Sequence, residues 1–403
     1  MLDFTSPSVY IPTTFVLLII VFAVIFAKDA KRIIRRSTKG FPYHDEIDLS
    51  MGYIERNILD NGRFVYRKNV DTEIEYDNNI YNSLRHAGTL YSMCLYEKCT
   101  SDTKYRRSRL LASKYFVKKY IKKVSEGKYG IISIPEEERI NIKIAKSGAA
   151  GIALCALVSL YDEKLIKLDL LQGLGEFLLS MQKDDGNIYA YYDFESKTIN
   201  KEAEAIYYPG EAAAGWMSLY EIDPQEIWVD AARKTLLYLV KSQKGNEEFV
   251  FDHWAIFAIE KLLYYKLLSE EDEQTLKNYV ELMIIPLLTV QITNPKNVYY
   301  GAFKDNIRPC SIGAIMEGLG SAYFCTDSKQ LKTIIYKSLA LGCMFLSRVQ
   351  VKTGLNAGGL PNSANWVKPG VTPNASIIRI DNVQHVVSAW LKFQNVLRAM
   401  NKF

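Results

Sequence analysis

Histidine, cysteine and proline are scarce in this chain of 403 residues, which contains 4, 6 and 12 of them, and glycine is not enriched at 23. So few cysteines exclude a disulfide scaffold, and so little proline and glycine exclude a collagen-like or low-complexity chain. Because 48% of the residues are hydrophobic, the chain has enough apolar material for a large core, which excludes disorder. The cysteine spacing fits neither a metal site nor a disulfide framework, so we expect six free thiols.

An excess of charge of one sign is also missing from most of the chain. The formal net charge is +5, but the segment 28–39 alone accounts for that value. Its basic residues, opposed only by Asp29, are Lys28, Lys31, Arg32, Arg35, Arg36 and Lys39. The remaining sequence is nearly balanced and offers no basic surface of the kind that binds nucleic acid. We therefore expect no nucleic-acid partner.

A long hydrophobic run lies near the N-terminus, where no charged residue occurs between Asp3 and Lys28. A bilayer core takes about 20 apolar helical residues. We therefore predict a short tail over 1–8, a transmembrane helix over 9–27 and a basic juxtamembrane linker over 28–44. In a secretory signal peptide the basic residues precede the apolar run. Here they follow it, which favours an uncleaved anchor, and a buried core helix is the alternative.

The basic segment also predicts which side of the membrane the rest of the chain occupies. The positive-inside rule places 28–403 on the cytoplasmic side of a single-pass membrane protein. Because a large domain can be exported despite its flanking charge, the extracytoplasmic side is the alternative. The same basic residues could hold anionic lipid, or could simply be solvated charges beside a membrane helix.

Two kinds of helical segment alternate from residue 45 onward. Six segments are amphipathic, with apolar residues at i, i+3 and i+4 spacing: 46–59, 107–124, 167–182, 226–243, 273–291 and 330–350. Each is followed by a segment that is apolar on nearly every face and rich in small residues: 81–96, 147–161, 210–220, 252–267, 310–324 and 382–397. A helix that is apolar all round is buried, so we call the second kind inner helices and the first kind outer helices.

The outer helices share a repeated ending. Four of them close an apolar stretch with a glutamine, and a glycine follows three of these: Gln182, Gln243, Gln291 and Gln350, then Gly186, Gly245 and Gly354. This internal repeat is longer than the common solenoid units. Six outer and six inner helices predict an all-α fold, namely one (α/α)6 toroid of six helical hairpins over 45–403, preceded by the transmembrane helix.

The lengths of the loops indicate where a functional site lies. Connections from an inner helix to the next outer helix are short, whereas those leading into inner helices are mostly long: 60–80, 125–146, 183–209, 292–309 and 351–381. In an alternating toroid all of these long loops fall at the end where the inner helices begin. Long loops without structure of their own are usually functional.

Polar residues gather at the starts of the inner helices, which together we call the mouth. Six helix N-termini would direct unpaired N–H groups toward one cavity there. Carboxylates, histidines and a phenol can act as acids and bases, so the predicted catalytic residues are Glu211, Asp252, His253, His86 and Tyr208. The predicted substrate-binding residues carry charge or an aromatic face: Arg85, Asp185, Trp254, Arg308, Arg379, Asp381 and His385.

Structural roles are an alternative for several of these residues. Glu211 and Asp252 could cap their helices, which is worth about 0.5–2 kcal/mol. The stretch 184–187, Asp-Asp-Gly-Asn, is typical of a turn first and of a carboxylate donor second. A single histidine at a helix start is more often structural than catalytic.

Motifs of known enzyme classes are missing. No GxSxG elbow, HExxH, Rossmann or kinase signature occurs. A metal site formed by His86, His253 and His385 is conceivable, but no HxxH-type pair supports it. We therefore predict neither a metal nor a cofactor.

The repeat, the glutamine endings and the polar inner-helix starts resemble the six-hairpin, glycosidase-like (α/α)6 toroids over about residues 45–400. That superfamily includes glycoside hydrolases, unsaturated-uronate hydrolases, uronate epimerases and sugar 2-epimerases. The resemblance implies an active site at the mouth, although no catalytic motif of a member can be matched residue by residue. An anchor with a cytoplasmic bias departs from the usual secreted members.

We therefore predict a membrane-anchored carbohydrate-active enzyme that acts on a polysaccharide or lipid-linked glycan, with envelope-polysaccharide assembly proteins as partners. Hydrolysis by paired carboxylates, with Glu211 and Asp252 as the pair, is the first hypothesis. A uronate C5-epimerase or a lyase would instead use a base such as a histidine or Tyr208. A non-catalytic glycan-binding or scaffold toroid is a further alternative. An isoprenoid enzyme is disfavoured because DxDD and Asp-rich motifs are missing.

Overall fold

The computed structural model describes residues 41–72, 79–243, 250–366 and 373–400. The outer helices are α1 (His44–Arg56), α3 (Arg106–Tyr120), α6 (Leu168–Met181), α8 (Glu226–Ser242), α10 (Glu270–Thr289) and α12 (Lys329–Val349). The inner helices are α2 (Ser83–Thr100), α5 (Ser147–Asp162), α7 (Tyr208–Tyr220), α9 (His253–Tyr264), α11 (Pro309–Cys325) and α13 (Ile380–Ala399). All twelve helices expected from the sequence are present, with ends that differ by a few residues.

The inner helices form a closed ring. Each packs on the next in the order α2, α5, α7, α9, α11 and α13, and α13 packs back on α2. The outer helices pack outside this ring, for example α8 on α7, and α12 on both α11 and α13. Because consecutive helices run in opposite directions, all inner helices begin at the same end. This is the arrangement of an (α/α)6 toroid.

Small residues allow the inner helices to approach one another closely. A Cβ placed on Gly215 of α7 would lie 2.6 Å from the Cα of Gly151 on α5, which is closer than two such carbon atoms come. Large side chains such as Trp216 and Leu154 are fully buried on the same two helices. An inner helix touches neighbours on every side, which explains why its sequence is apolar nearly all round.

The glutamines that end the outer helices join each outer helix to the next one. Gln291, after α10, donates a side-chain hydrogen bond to the carbonyl of Ser338 on α12 at 3.1 Å. Gln350, after α12, donates to the carbonyl of Glu46 on α1 at 2.8 Å, and Gln182 makes the equivalent bond to α8. The repeated glutamine is therefore a structural feature of the ring, and Gln350 connects the last outer helix to the first.

Replacing Gln350 with alanine is expected to lower the free energy of unfolding by about 1–3 kcal/mol. The buried carbonyl of Glu46 and the hydroxyl of Ser50 would each lose a hydrogen bond from Gln350, and buried groups without partners carry that cost. Chemical denaturation followed by circular dichroism measures the change. Gln330→Ala, at the exposed start of α12, is the control and should change stability by less than about 0.5 kcal/mol. Equal effects of both substitutions would contradict the closure role.

Short strands in the long loops are an addition to the predicted all-α fold. The strands β2 (Ile121–Ser125), β3 (Lys128–Ser133), β4 (Ile144–Lys146), β5 (Tyr191–Asp193) and β6 (Thr198–Asn200) form an antiparallel sheet in that order. The strand β1 (Arg67–Asn69) pairs with β7 (Ile377–Arg379), and the short helix α4 (Pro135–Glu138) lies between β3 and β4. The prediction that α3 continues to 124 is wrong, because the chain enters β2 directly after Tyr120.

Since β4 leads into α5 and β7 into α13, these strands support the mouth.

Four predictions concern residues wholly or mostly outside the described ranges: the tail over 1–8, the anchor over 9–27, the basic linker over 28–44 and the glycine at 245. The described part of the linker ends at α1, and there Tyr43 stacks on Trp390 with ring centroids 6.0 Å apart. Across 41–72, 79–243, 250–366 and 373–400, no helix is both long and apolar enough to cross a membrane. All six cysteines fall within these ranges and are free thiols, as expected.

Candidate active site at the inner-helix mouth

The N-terminal ends of the inner helices contact one another around the ring, which brings most of the predicted residues into one region. Arg85 of α2 forms an ion pair with Asp381 of α13 at 2.9 Å. Cys310 of α11 lies 3.8 Å from the same carboxylate. Farther around the ring, Glu211 of α7 lies so close to Gly148 of α5 that a Cβ there would collide with its Oε2 atom.

Two of the predicted histidines lie beside a buried glutamate. Nδ1 of His385, on α13, is 2.6 Å from Oε2 of Glu317, on α11. Nε2 of His253, the first residue of α9, is 3.8 Å from the same oxygen. The centroids of the two imidazole rings are 5.6 Å apart, with the rings edge to face. Three consecutive inner helices thus hold two imidazoles and one carboxylate together.

The surroundings of the two histidines separate their pKa values. Burial lowers the pKa of His253 well below its usual value, and the positive His385 and Lys392 lower it further. Burial opposes the charged form of His385 as well, but the charge of Glu317, its hydrogen bond and the charge of Asp381 outweigh it and raise the pKa of His385. The lowered pKa of His253 favours its neutral form, and the raised pKa of His385 favours its charged form. Groups with opposed pKa values at one site are typical of acid–base chemistry.

Nε2 of His253 is buried and has no hydrogen-bond partner among the described residues. Buried polar atoms are nearly always paired, so an orphan requires an explanation. This atom belongs to the first residue of α9, at the mouth. An unpaired ring nitrogen on a neutral imidazole is what a general base needs.

In the described ranges, one cluster of side chains could bind a metal ion: His253, Glu317 and His385. One ligand atom from each of these residues lies within 4.8 Å of the others. However, Nδ1 of His385 and Oε2 of Glu317 are 2.6 Å apart, a hydrogen-bond separation. Two ligands at about 2.0–2.2 Å from one zinc ion would be farther apart than that. His385 and Glu317 are therefore placed to share a proton in a hydrogen bond. The conceivable three-histidine set is not formed, because His86 lies elsewhere.

The guanidinium groups of Arg85 and Arg379 share the carboxylate of Asp381. Asp381 lies on α13, the helix that also carries His385. Arg379 binds both oxygens of Asp381, at 2.9 and 2.7 Å, and Arg85 adds a third contact at 2.9 Å. Burial opposes ionisation of Asp381, but the two arginines outweigh it and lower its pKa. The side chains of Arg85 and Arg379 remain 35% and 30% exposed, so both can also reach a ligand.

The two carboxyl groups predicted to hydrolyse a glycosidic bond are buried and incompletely paired. One oxygen of Asp252 caps α9, accepting hydrogen bonds from the backbone N–H groups of Trp254 and Ala255 at 2.9 and 3.1 Å. Its other oxygen and Oε2 of Glu211 have no partner within the described ranges. Burial raises the pKa of Asp252 to about 7. Burial and the nearby Asp252 raise the pKa of Glu211 well above its usual value, against the effect of Lys146.

The raised pKa values of Glu211 and Asp252 bear on their predicted role as the hydrolytic pair. The raised pKa of Glu211 favours its protonated form, and Asp252, with a pKa of about 7, is only partly ionised at neutral pH. A hydrolytic pair needs one carboxyl group that is fully ionised. Tyr208, at the start of α7, lies beside Glu211, and its ring centroid is 6.0 Å from that of Tyr191. Burial, Glu211 and Tyr191 raise the pKa of the Tyr208 phenol. Tyr208 is therefore suited to donate a hydrogen bond to a substrate, rather than to act as the predicted base.

The structure does not bring His86 to the mouth, which corrects its predicted catalytic role. Its Nδ1 lies 2.6 Å from the hydroxyl of Tyr81, and its Nε2 lies 3.0 Å from the carbonyl of Ala112 on the outer helix α3. The side chain is 1% exposed, and burial lowers its pKa to about 3. His86 stabilises the contact between α2 and α3.

Trp254, Asp185 and Arg308 are the remaining predicted binding residues. Trp254 is buried inside the ring, where it packs edge to face on Tyr91 with centroids 5.4 Å apart. Asp185 is exposed in the turn after α6, where it accepts a hydrogen bond from the backbone N–H of Asn187 at 2.9 Å. It lines a pocket with residues of the outer helix α8. Arg308 is exposed at the N-terminal end of α11.

Glu317 is the site residue that the sequence-based selection missed. It lies in the middle of α11, two turns from the mouth, and is 6% exposed. The signal for it was a lone carboxylate in an otherwise apolar inner helix. A buried charge of that kind requires a partner, and the partner is His385.

No protein-family model matches this sequence, and no curated protein matches it significantly. Solved structures do match. An α-1,6-mannanase of glycoside hydrolase family 76 from Salegentibacter sp. has a TM-score of 0.60 at 11% identity, over 87% of this chain and 99% of that one. Cellobiose 2-epimerase from Bacillus thermoamylovorans has a TM-score of 0.63 at 10% identity, over 86% of this chain and 97% of that one.

A D-mannose isomerase matches equally well, with a TM-score of 0.63 at 12% identity over 88% of this chain and 96% of that one. All of these proteins are six-hairpin, glycosidase-like toroids. This chain therefore has the six-hairpin, glycosidase-like (α/α)6 toroid fold, and the resemblance stated from its sequence is confirmed. At these identities the match concerns the fold.

Proposed function

We propose that this protein is a carbohydrate-converting enzyme that transfers a proton at the carbon next to a sugar carbonyl, which is an epimerase or isomerase reaction. The observation that carries the proposal is the pair His253 and His385. His253 has a lowered pKa and an unpaired nitrogen, and His385 is hydrogen-bonded to Glu317, which raises its pKa. This ranks proton transfer above the glycosidic hydrolysis that the sequence favoured.

The two imidazoles have distinct roles in this reaction. His253 removes the proton from the carbon next to the carbonyl of an open-chain sugar, and the electron pair of that C–H bond moves to the carbonyl oxygen. His385 donates its proton to the developing negative charge, which its raised pKa allows at neutral pH. In an isomerase His253 returns this proton to the neighbouring carbon, and the now neutral His385 takes the proton of the hydroxyl on the first carbon. In an epimerase the enediol turns over in the site before His253 returns the proton to the opposite face of the same carbon, and His385 takes back the proton that it gave. Glu317 is a positioning residue for His385.

The solved structures of similar fold support this class of reaction. They include a cellobiose 2-epimerase, a D-mannose isomerase and a sugar epimerase from a ruminal bacterium. Each of these names describes an enzyme that rearranges a sugar. A uronate C5-epimerase or a lyase begins with the same proton removal and is the nearest variant of the proposal.

Glycoside hydrolysis is the second candidate, because several similar structures are α-mannanases. One is an inactive variant with two adjacent aspartates replaced by asparagine, in complex with α-1,6-mannotriose. The adjacent aspartates of this chain, Asp184 and Asp185, are exposed in the turn after α6. The carboxyl pair at the mouth is Glu211 and Asp252, and both have raised pKa values. This pair suits a general acid better than a base or nucleophile.

The membrane anchor predicted over 9–27 bears on where the enzyme acts. An anchor over 9–27 would hold the toroid at a membrane, on its cytoplasmic side by the positive-inside rule. A lipid-linked glycan or a polysaccharide of the cell envelope is the substrate that this location favours, with envelope-polysaccharide assembly proteins as partners. Fractionation of cells and protease protection of the toroid test the anchor and its side.

Deuterium exchange tests the proposed reaction. The full-length chain, purified in detergent, is incubated in D2O with neutral sugars and uronates, and NMR follows the proton next to the carbonyl. We expect enzyme-dependent loss of that proton signal, unchanged after dialysis against EDTA because the histidine pair needs no metal. New reducing ends without deuterium would favour the hydrolase. Sugar binding with neither reaction would favour a glycan-binding toroid.

A further inference from the structure

Basic residues lie at the N-terminal ends of several inner helices, at the same mouth as the acids Glu211, Asp252 and Asp381. An N-terminus is positive, so acidic residues are stabilising there and basic residues are not. Four of the outer helices follow this rule, with acids in the first turn of α1, α6, α8 and α10. Four of the inner helices instead have a basic residue at the N-cap or in the first turn: Arg85, Lys146, Arg308 and Arg379.

One of these four basic residues is already neutralised. Lys146 forms an ion pair with the buried Glu138 of α4, so it serves the packing of the loops. Arg85 and Arg379 are different because they share the single carboxylate of Asp381. Two guanidinium groups around one carboxylate leave a positive charge that this cluster does not balance. In the described ranges Arg308 has no ion-pair partner.

The geometry of the arginine pair leaves room for another anion. The Nε atoms of Arg85 and Arg379 face Asp381 at 2.9 Å, and Nη2 of Arg379 also binds it. Nη1 of Arg85 donates to the hydroxyl of Tyr66. A guanidinium has five N–H donors, so each arginine retains donors beyond these contacts, and about a third of each side chain is exposed. Arginine forks match the geometry of carboxylate and phosphate groups.

The pair lies next to the proposed reacting groups. Asp381 and His385 are four residues apart on α13, so their side chains lie on the same face, about 5–6 Å apart. Unpaired buried polar atoms, namely Nε2 of His253, Oε2 of Glu211 and an oxygen of Asp252, lie at the same mouth. A sugar that meets these atoms can place a charged substituent against the arginines.

We infer that Arg85 and Arg379, with Arg308 at the rim, form a subsite for the anionic group of an acidic carbohydrate, either the carboxylate of a uronate or the phosphate of a sugar phosphate. This inference rests on the proposed function, because it names the substrate class of the same mouth. The anionic group of such a ligand balances the excess positive charge of two arginines around one carboxylate. Neutral oligosaccharides are the wrong class of substrate for this site.

Calorimetry on the full-length chain tests the inference with matched pairs of sugars. Glucuronate and mannose 6-phosphate are compared with glucose and mannose, at low and high salt. We expect the charged member of at least one pair to bind at least about tenfold more tightly, with the preference shrinking at high salt. Arg379→Gln should reduce that preference by about ten- to a hundredfold, and Arg379→Lys should restore part of it.

A second variant guards against loss of folding, because Arg379→Gln removes a partner of the buried Asp381. Arg308→Gln changes an exposed residue and should weaken only the charged sugars. Lys266→Gln, exposed at the far end of α9, is the matched control and should leave the preference unchanged. Equal binding of charged and neutral sugars, or no binding of either by the folded chain, would overturn the inference.

Deuterium exchange in the same samples separates this inference from the proposed function. Exchange on neutral sugars without a charge preference would overturn the subsite and leave the proton-transfer function standing. Arginine-dependent binding of an acidic sugar without any exchange would support the subsite and contradict the function. Preference for the uronate or for the phosphate identifies which anion the arginines accept.

Discussion

Replacing His253 with glutamine is expected to reduce deuterium incorporation into the substrate by about a hundredfold or more, because the proton would lose its base. The fold should tolerate this change. His253 is neutral at pH 7, and its Nε2 has no hydrogen-bond partner among the described residues to lose. The rate measured by NMR, together with thermal unfolding, separates a chemical effect from a structural one.

The pH dependence of the same reaction has a defined sign. His253, with its lowered pKa, stays a base until the pH falls far below 6.5, and His385, with its raised pKa, stays an acid until the pH rises above 6.5. The rate should therefore be level around neutrality and fall on both sides. Glu317→Gln removes the charge that supports the acid, so it should move the alkaline limb to lower pH.

His44→Gln is the matched control for the histidine substitutions. His44 is exposed at the start of the outer helix α1, outside the mouth. It should leave both the rate and its pH profile unchanged. Full activity in His253→Gln, with a folded protein, would remove the proposed proton transfer.

Asp252→Asn is expected to change how the stability of the protein depends on pH. Burial raises the pKa of Asp252 from 3.8 to about 7, so its contribution to stability is fully present only below the unfolded pKa and is lost as the pH rises toward 7. That loss amounts to about 4 kcal/mol above pH 7. An asparagine has no charge to bury, and its side-chain oxygen can still cap α9. We therefore expect the variant to gain stability over the native chain as pH rises from 4 to 8, measured by denaturant unfolding.

Asp223→Asn provides a control of opposite sign. Burial raises the pKa of Asp223, but hydrogen bonds from Gln225, Trp228 and Gln172 outweigh it and lower the pKa below its usual value. A lowered pKa contributes stability above the unfolded value, which is lost as the pH falls. Asp223→Asn should therefore be less stable than the native chain at neutral pH, with the difference shrinking in acid. A pH-independent difference for Asp252→Asn would show that its carboxyl group is not buried as a neutral acid.

Local patterns predicted the helical framework well. Apolar residues at helical spacing located the outer helices, and small apolar segments such as 147–161 located the inner ones, because burial on every side leaves a direct trace in composition. The repeated glutamines were also visible. Their role was not, because Gln350 hydrogen-bonds to Glu46 at the opposite end of the chain, and nothing near Gln350 in the sequence indicates that partner.

The sequence did not predict the strands, because their partners also lie far away along the chain. Segments such as β4 and β7 have only three residues each, which is too short for an alternating pattern to stand out. They are strands because they pair with distant partners, as β7 does with β1. Pairing between segments far apart in the chain decided their structure.

The sequence predicted where polar residues gather better than it predicted which of them meet. The loop lengths and the polar starts of the inner helices pointed to the mouth, and Arg85, Arg379, Asp381, His253 and His385 do lie there. His86 was included because it follows Arg85 at the start of α2, yet one residue along a helix turns the side chain by about 100°. That rotation directs His86 toward the outer helix α3. Glu317 was missed because it lies two turns inside α11 rather than at its start.

The sequence by itself determined which segments are buried, how many hairpins there are and at which end of the toroid the polar residues collect, because periodicity and composition are local properties. Only the tertiary structure decided which of those residues meet, and in what protonation state. The partner of His385 is on α11, and the burial of Glu211 and Asp252 arises where α5, α7 and α9 pack together. The free energy of a charge depends on its surroundings in space, and neighbours along the chain do not supply those surroundings.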